Sequence, residues 1–164
     1  MSDDDTGLDP ADARWVRPDA TGGFAVSVPS GVRAMLVDLV GQLDELLTSD
    51  IDAVRRVFPT AYPDDPEREA GYQALVRGEL IDRHRAGAEL IGRTIGSDRL
   101  TEEELTSWMT TINSMRLVFG TALDVRDDEP FEVDLESDQG PAQMAYQVLT
   151  ELIDDIVHAL RSTL

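Results

Sequence analysis

Two histidines, His84 and His158, are the side chains of this sequence whose ordinary pKa lies near neutrality. Either has the chemistry of a general base or a metal ligand, but each needs company to act as one. His84 falls four residues after Leu80 and four before Ala88, on the inward face or flank of a helix. A metal site in a helical bundle places a Glu three residues before such a His. Position 81 is Ile, and Asp82 projects in another direction. The spacing favours a histidine hydrogen-bonded at the core boundary. His158, beside Val157, reads as exposed. The adjacent acids Asp64-Asp65, Asp127-Asp128 and Asp154-Asp155 lack the spacing, glycine and terminal Glu of a calcium loop. The first pair reads as turn and cap chemistry, the other two as solvated surface. Neither a metal nor any other cofactor is expected.

The cations form small groups. Arg55-Arg56 precedes the Phe58-Pro59 corner, Arg83-His84-Arg85 is the basic triplet, and Arg116 lies four residues past Ile112 with its stem partly covered. One reading is a local patch for an anion or carboxylate. The other, favoured where carboxylates are so abundant, is internal ion pairing. The sequence has no glycine-rich phosphate loop, no Gly-x-Ser-x-Gly elbow and no supported Ser/His/Asp set.

Composition narrows the classes further. The 164 residues carry 33 Asp and Glu against 14 basic residues, all arginine, for a net charge of −19. Cysteine and lysine are both absent, which removes disulfides, thiolate zinc sites, iron–sulfur clusters, cysteine nucleophiles and lysine Schiff bases. So negative a chain repels nucleic acid and anionic membranes, and neither is expected as a partner. No run of 18 apolar residues suggests a membrane span, and the acidic start is unlike a signal peptide, so a cytoplasmic protein is expected. The acidity is uneven: residues 1–22 carry −4, residues 127–138 carry −7, and the other 130 residues only −8.

These residues must be positioned by a mainly α fold, a bundle of four to five helices with at most two short strands. Residues 1–22 read as an acidic flexible tail, with Trp15 as a docking residue or a half-covered one, and 23–164 as a single helical domain. Phe24, Val26 and Val28 alternate as a short strand. Ser30 then caps a helix whose apolar stripe runs from Val32 to Leu47 without a miss. A short second helix is predicted from Ile51 to Phe58, ended by Pro59. Asp65 at N-cap and Pro66 at N1 start a third, to about Ile95, with a bend allowed near Gly87. Thr101 and Glu104 form a capping box, with Leu100 and Leu105 as the staple, and Gly120 suits the helix end. Leu123 and Val125 suggest a short extended piece. A second strand, Phe131 to Leu135, is predicted to pair with residues 24–28. The last helix follows Pro141, with a stripe from Ala145 to Leu160.

Two stretches carry more than composition. Val54-Arg55-Arg56-Val57-Phe58-Pro59-Thr60-Ala61-Tyr62-Pro63-Asp64-Asp65-Pro66-Glu67 is one, and Ile112-Asn113-Ser114-Met115-Arg116-Leu117-Val118-Phe119-Gly120-Thr121 is the centre of the other. Together they resemble an uncharacterised actinobacterial family known only as a domain of unknown function, from residue 23 to the C-terminus. The resemblance implies a cytosolic helical protein, often encoded near the adaptor of the Clp protease, and carries over no catalytic residue.

The expected function is therefore a non-enzymatic interaction or regulatory module, with a protein partner expected and a homodimer as an option. Its candidate surface is the corner from Phe58 through Tyr62, Asp64 and Asp65, with Arg55, Arg56 and Arg116. The alternative is a small-molecule or anion-binding protein, or an enzyme, with a pocket built from Arg116, Asn113, Tyr62 and His84.

Overall fold

A computed structural model describes residues 14–48, 57–58, 60–126 and 130–163, apart from the side chains of Asp44 and Leu46. The element order is β1 (Val16–Pro18), β2 (Phe24–Val26), α1 (Ser30–Thr48), α2 (Pro66–Thr94), β3 (Arg99–Leu100), α3 (Glu102–Ala122) and α4 (Gly140–Arg161). The fold is mainly α, as the periodicity predicts, with a three-stranded sheet in place of at most two strands.

The sheet corrects two sequence expectations. Its order is β1-β2-β3, both pairings antiparallel, with Val16 opposite Val26 and Phe24 opposite Leu100. Residues 14–22 therefore belong to the domain and not to a tail. Val16 is fully buried, and removing one such side chain from water stabilises the fold by ~1.5–3 kcal/mol. Gly22, at φ +87°, turns the chain between β1 and β2, a conformation that glycine adopts without a Cβ clash. Residues 131–135, predicted as the partner strand, form none. Phe131 packs on the Tyr146 ring at 4.7 Å instead, and Leu135 is exposed. Alternation alone misled there, because two short segments elsewhere already occupy both edges of β2.

Helix boundaries follow local chemistry. Asp65 caps α2 by accepting the Arg68 N–H at 3.0 Å, with Pro66 in the first turn. Thr101 Oγ1 accepts the Glu104 N–H, and the Glu104 carboxylate accepts the Thr101 N–H, completing the predicted box. Gly120 does not end α3. It is buried within it, where a Cβ would come 3.0 Å from the Tyr146 ring. The left-handed end residue is Asp124 at φ 51°, with Val125 N–H bonded to Gly120 O and Asp124 N–H to Thr121 O, a Schellman pattern. Leu123 and Val125 belong to this turn, not to an extended piece. The predicted helix at 51–58 lies outside the described residues, except that Val57 and Phe58 are buried in a turn.

Helix α2 runs unbroken through Gly87, and that glycine lets α3 approach. A Cβ there would meet Thr111 Oγ1 at 2.1 Å. The Trp108 indole N–H donates to Thr94 Oγ1 at 2.8 Å and fixes the same pair of helices one further step along. One core joins the sheet to all four helices, with Leu36 and Leu43 of α1, Ile91 of α2, Trp108 and Ile112 of α3, and Leu149 and Ile156 of α4.

Candidate functional site

Beyond the Gly87 contact, toward the start of α2, the helices enclose a cleft of about 480 Å3. Leu80, Arg83 and His84 enter it from α2, and Met109, Thr110, Asn113, Ser114 and Leu117 from α3. Ile153 and Val157 of α4 and Val57 complete the lining. Two residues of the basic triplet are thus at the cleft, while Arg85 leans toward Asp82, 3.5 Å away. Consecutive helical residues fan apart by about 100°, so the triplet does not present all three side chains to one surface.

His84 is buried at 6% exposure, as its spacing predicts. Its Nδ1 lies 3.2 Å from Ser114 Oγ. Ser114 Oγ also lies 3.0 Å from the Thr110 carbonyl, so it bridges the imidazole and the backbone of its own helix. Burial holds the His84 pKa below its ordinary value, and the neighbouring Arg83 charge lowers it further. His84 also borders a second cavity, of about 260 Å3, between α1 and α2. His158 is exposed.

The other candidate residues do not converge there. Tyr62 stands at the corner before α2, edge-on to Tyr72 at 5.8 Å and under Arg68 at 4.4 Å. The Glu69 carboxylate accepts from Gln73 Nε2 at 2.6 Å and from the Tyr62 and Ala61 N–H groups, which hold its pKa below the usual carboxylate range. Phe58 is buried with the Arg77 guanidinium 4.9 Å from its ring, so it offers no exposed surface. Asp65 serves as cap and Asp64 is exposed beside it. Arg55 and Arg56 lie outside the described residues. Of the four residues Arg116, Asn113, Tyr62 and His84, this cleft brings together Asn113 and His84, while Arg116 and Tyr62 are not in its lining.

Arg116 departs from expectation a second time. Internal ion pairing is the favoured reading for its cation, yet its buried Nε has no hydrogen-bond partner among the described residues. The reason is local: from Leu105 to Ala122, helix α3 contains no acidic residue to reach it.

Two important polar residues escape a sequence reading. Asp155, expected as solvated surface, accepts from Arg14 Nη1 at 2.8 Å and from the Trp15 N–H at 2.7 Å, tying β1 to α4. Arg33 reaches the carbonyls of Val28 at 2.9 Å, Ser97 at 3.2 Å, Val26 at 3.4 Å and Ile95, joining α1 to the sheet and to the end of α2. Its one legible signal is its place in the first turn of a helix that follows a strand. Among the described residues no group of three acidic or histidine side chains is placed to hold a metal, and no helix is long and apolar enough to cross a membrane.

A helical domain closed at one end by a small sheet, with a mixed polar and apolar cleft between α2, α3 and α4, is the class these features define. The chain belongs to the family described as "Domain of unknown function (DUF2017)", whose model matches residues 12–160. That match agrees with the expectation of a domain-of-unknown-function family. Over 127 residues the chain is 28% identical to a protein of Mycobacterium leprae (strain TN) named "Putative oxidative stress regulator AosR", covering 67% of this chain and 58% of that protein. The chain thus spans little more than half the length of that relative. No solved structure matches it.

Proposed function

We propose that this domain is a regulatory module that works by binding a protein partner and not by catalysis. The relationship to a protein named as a regulator carries this reading. The corner before α2 is its contact surface. Pro63, Asp64, Asp65 and Pro66 are exposed there, on a turn already fixed by the Glu69 carboxylate and the Asp65 cap. A contact surface ordered in advance loses little conformational freedom on binding. The Clp proteolytic machinery is the partner class that the family resemblance suggests, and a second copy of this chain is the other partner to test.

If the oxidative-stress role in the relative's name extends to this domain, its sensor is not a thiol within these 164 residues, which contain no cysteine. Methionine is then the oxidisable side chain, with Met144 at 39% exposure and Met109 at the cleft.

The test uses immobilised wild-type chain and an Asp64→Arg variant with an unchanged melting temperature. Purified Clp adaptor is applied to both, and light scattering reports self-association. Retention of adaptor or second copy by wild type, with at least a tenfold loss in the variant, supports the reading. Equal retention by both, or none by either, overturns it.

A further inference from the structure

The cleft between α2, α3 and α4 is an electrostatic exception in a chain of net charge −19, because among the described residues its lining holds one arginine and no acid. Arg83 is exposed at its edge, with neither an ion pair nor a hydrogen bond among the described residues. The half-buried Asn113 amide is likewise without a partner. The remaining polar groups have partners: the Thr110 hydroxyl donates to Thr106 O at 3.1 Å, and Ser114 Oγ lies within hydrogen-bond distance of both Thr110 O and His84 Nδ1. The free donors are therefore the Arg83 fork and the Asn113 amide, above walls of Leu80, Met109, Leu117 and Ile153.

We propose that this cleft binds a small amphipathic carboxylate, with its apolar body between the helices and its carboxylate on Arg83 and Asn113. A guanidinium fork matches the two carboxylate oxygens in plane, and an apolar body gains by leaving water. One negative charge is the number the site accepts. Arg83 also borders an adjoining groove that contains Glu102 and Glu103, and these repel a polyanion such as a nucleotide more strongly than a monoanion. The inference stands independently of any protein partner, since the corner and the cleft share none of the residues invoked.

Decanoate is the probe, titrated calorimetrically against the full chain, with decanol, decylamine and acetate as controls. Decanoate is expected to bind, with affinity reduced about tenfold or more in Arg83→Ala and unchanged in Arg85→Ala. Asn113→Leu, which keeps bulk and removes the amide, is expected to weaken binding severalfold. Decanol and decylamine should each bind at least tenfold more weakly, and acetate should lack the apolar contribution and not saturate. Arg83 is exposed, so its substitution leaves the fold intact and a melting curve verifies this. No binding of decanoate, equal binding of decanol, or equal affinities of wild type and Arg83→Ala would overturn the proposal.

Discussion

The sheet end and the cleft end of this domain use arginine in opposite ways. At the sheet, Arg33 spans four carbonyls, Arg14 pairs with Asp155, and Arg99 pairs with Asp19 at 2.9 Å. At the cleft, Arg83 stands without a partner among the described residues, and on α3 the Arg116 Nε is buried without one among them. The same residue type is thus cross-linking material in one region and unspent capacity in the other. A count of arginines or their clustering in sequence does not separate these uses; the partners do.

The largest effect expected is from Arg33→Met, which keeps the apolar stem and strands several partly buried carbonyls. A loss of ~2–4 kcal/mol in chemical denaturation is expected, since unpaired buried polar groups each cost ~1–3 kcal/mol. Next is Gly87→Ala, whose new methyl collides with Thr111, a residue at 1% exposure with little room to yield. Overpacking of this kind costs ~1–3 kcal/mol, and the double variant Gly87→Ala/Thr111→Ala should recover most of it. Asp155→Ala should cost ~2 kcal/mol by removing a charged acceptor from the Trp15 N–H, and Trp15 fluorescence should shift as β1 loosens.

A smaller effect separates the two ends by pH. With the His84 pKa held below the ordinary 6.5, the unfolded chain takes up a proton first as the pH falls. Stability therefore decreases below about pH 6.5 and continues to fall until the folded histidine itself protonates. Between about pH 7.5 and about pH 5.5, His84→Gln should flatten this dependence. The smallest effect is Arg83→Ala, expected within ~0.5 kcal/mol of wild type. A large loss there would erase the contrast between the two ends.

Legibility followed the range of the forces. The stripe of α1, the Asp65 and Thr101 caps and the stripe of α4 depend on residues within one or two turns, and each is in place. The inward placement of His84 was legible for the same reason. The sheet was not, because β2 finds partners 8 residues before it and more than 70 after it, and local alternation at 131–135 imitates a strand equally well. The site was half legible. His84 and Asn113 meet at one cleft, but Tyr62 and Arg116 face elsewhere, since their directions depend on a corner and a helix rotation that spacing does not encode. Asp155 looked like surface because its partners, Arg14 and Trp15, lie 141 and 140 residues away.

That last distance bears on how the protein is made. β1 leaves the ribosome early, while the carboxylate that secures it sits on the final helix. The strand can pair with β2 and β3 during synthesis, but the Trp15 amide waits for α4 to emerge. Completion of the domain therefore waits for α4, and a ribosome stalled before α4 would present an unfinished core to chaperones and proteases.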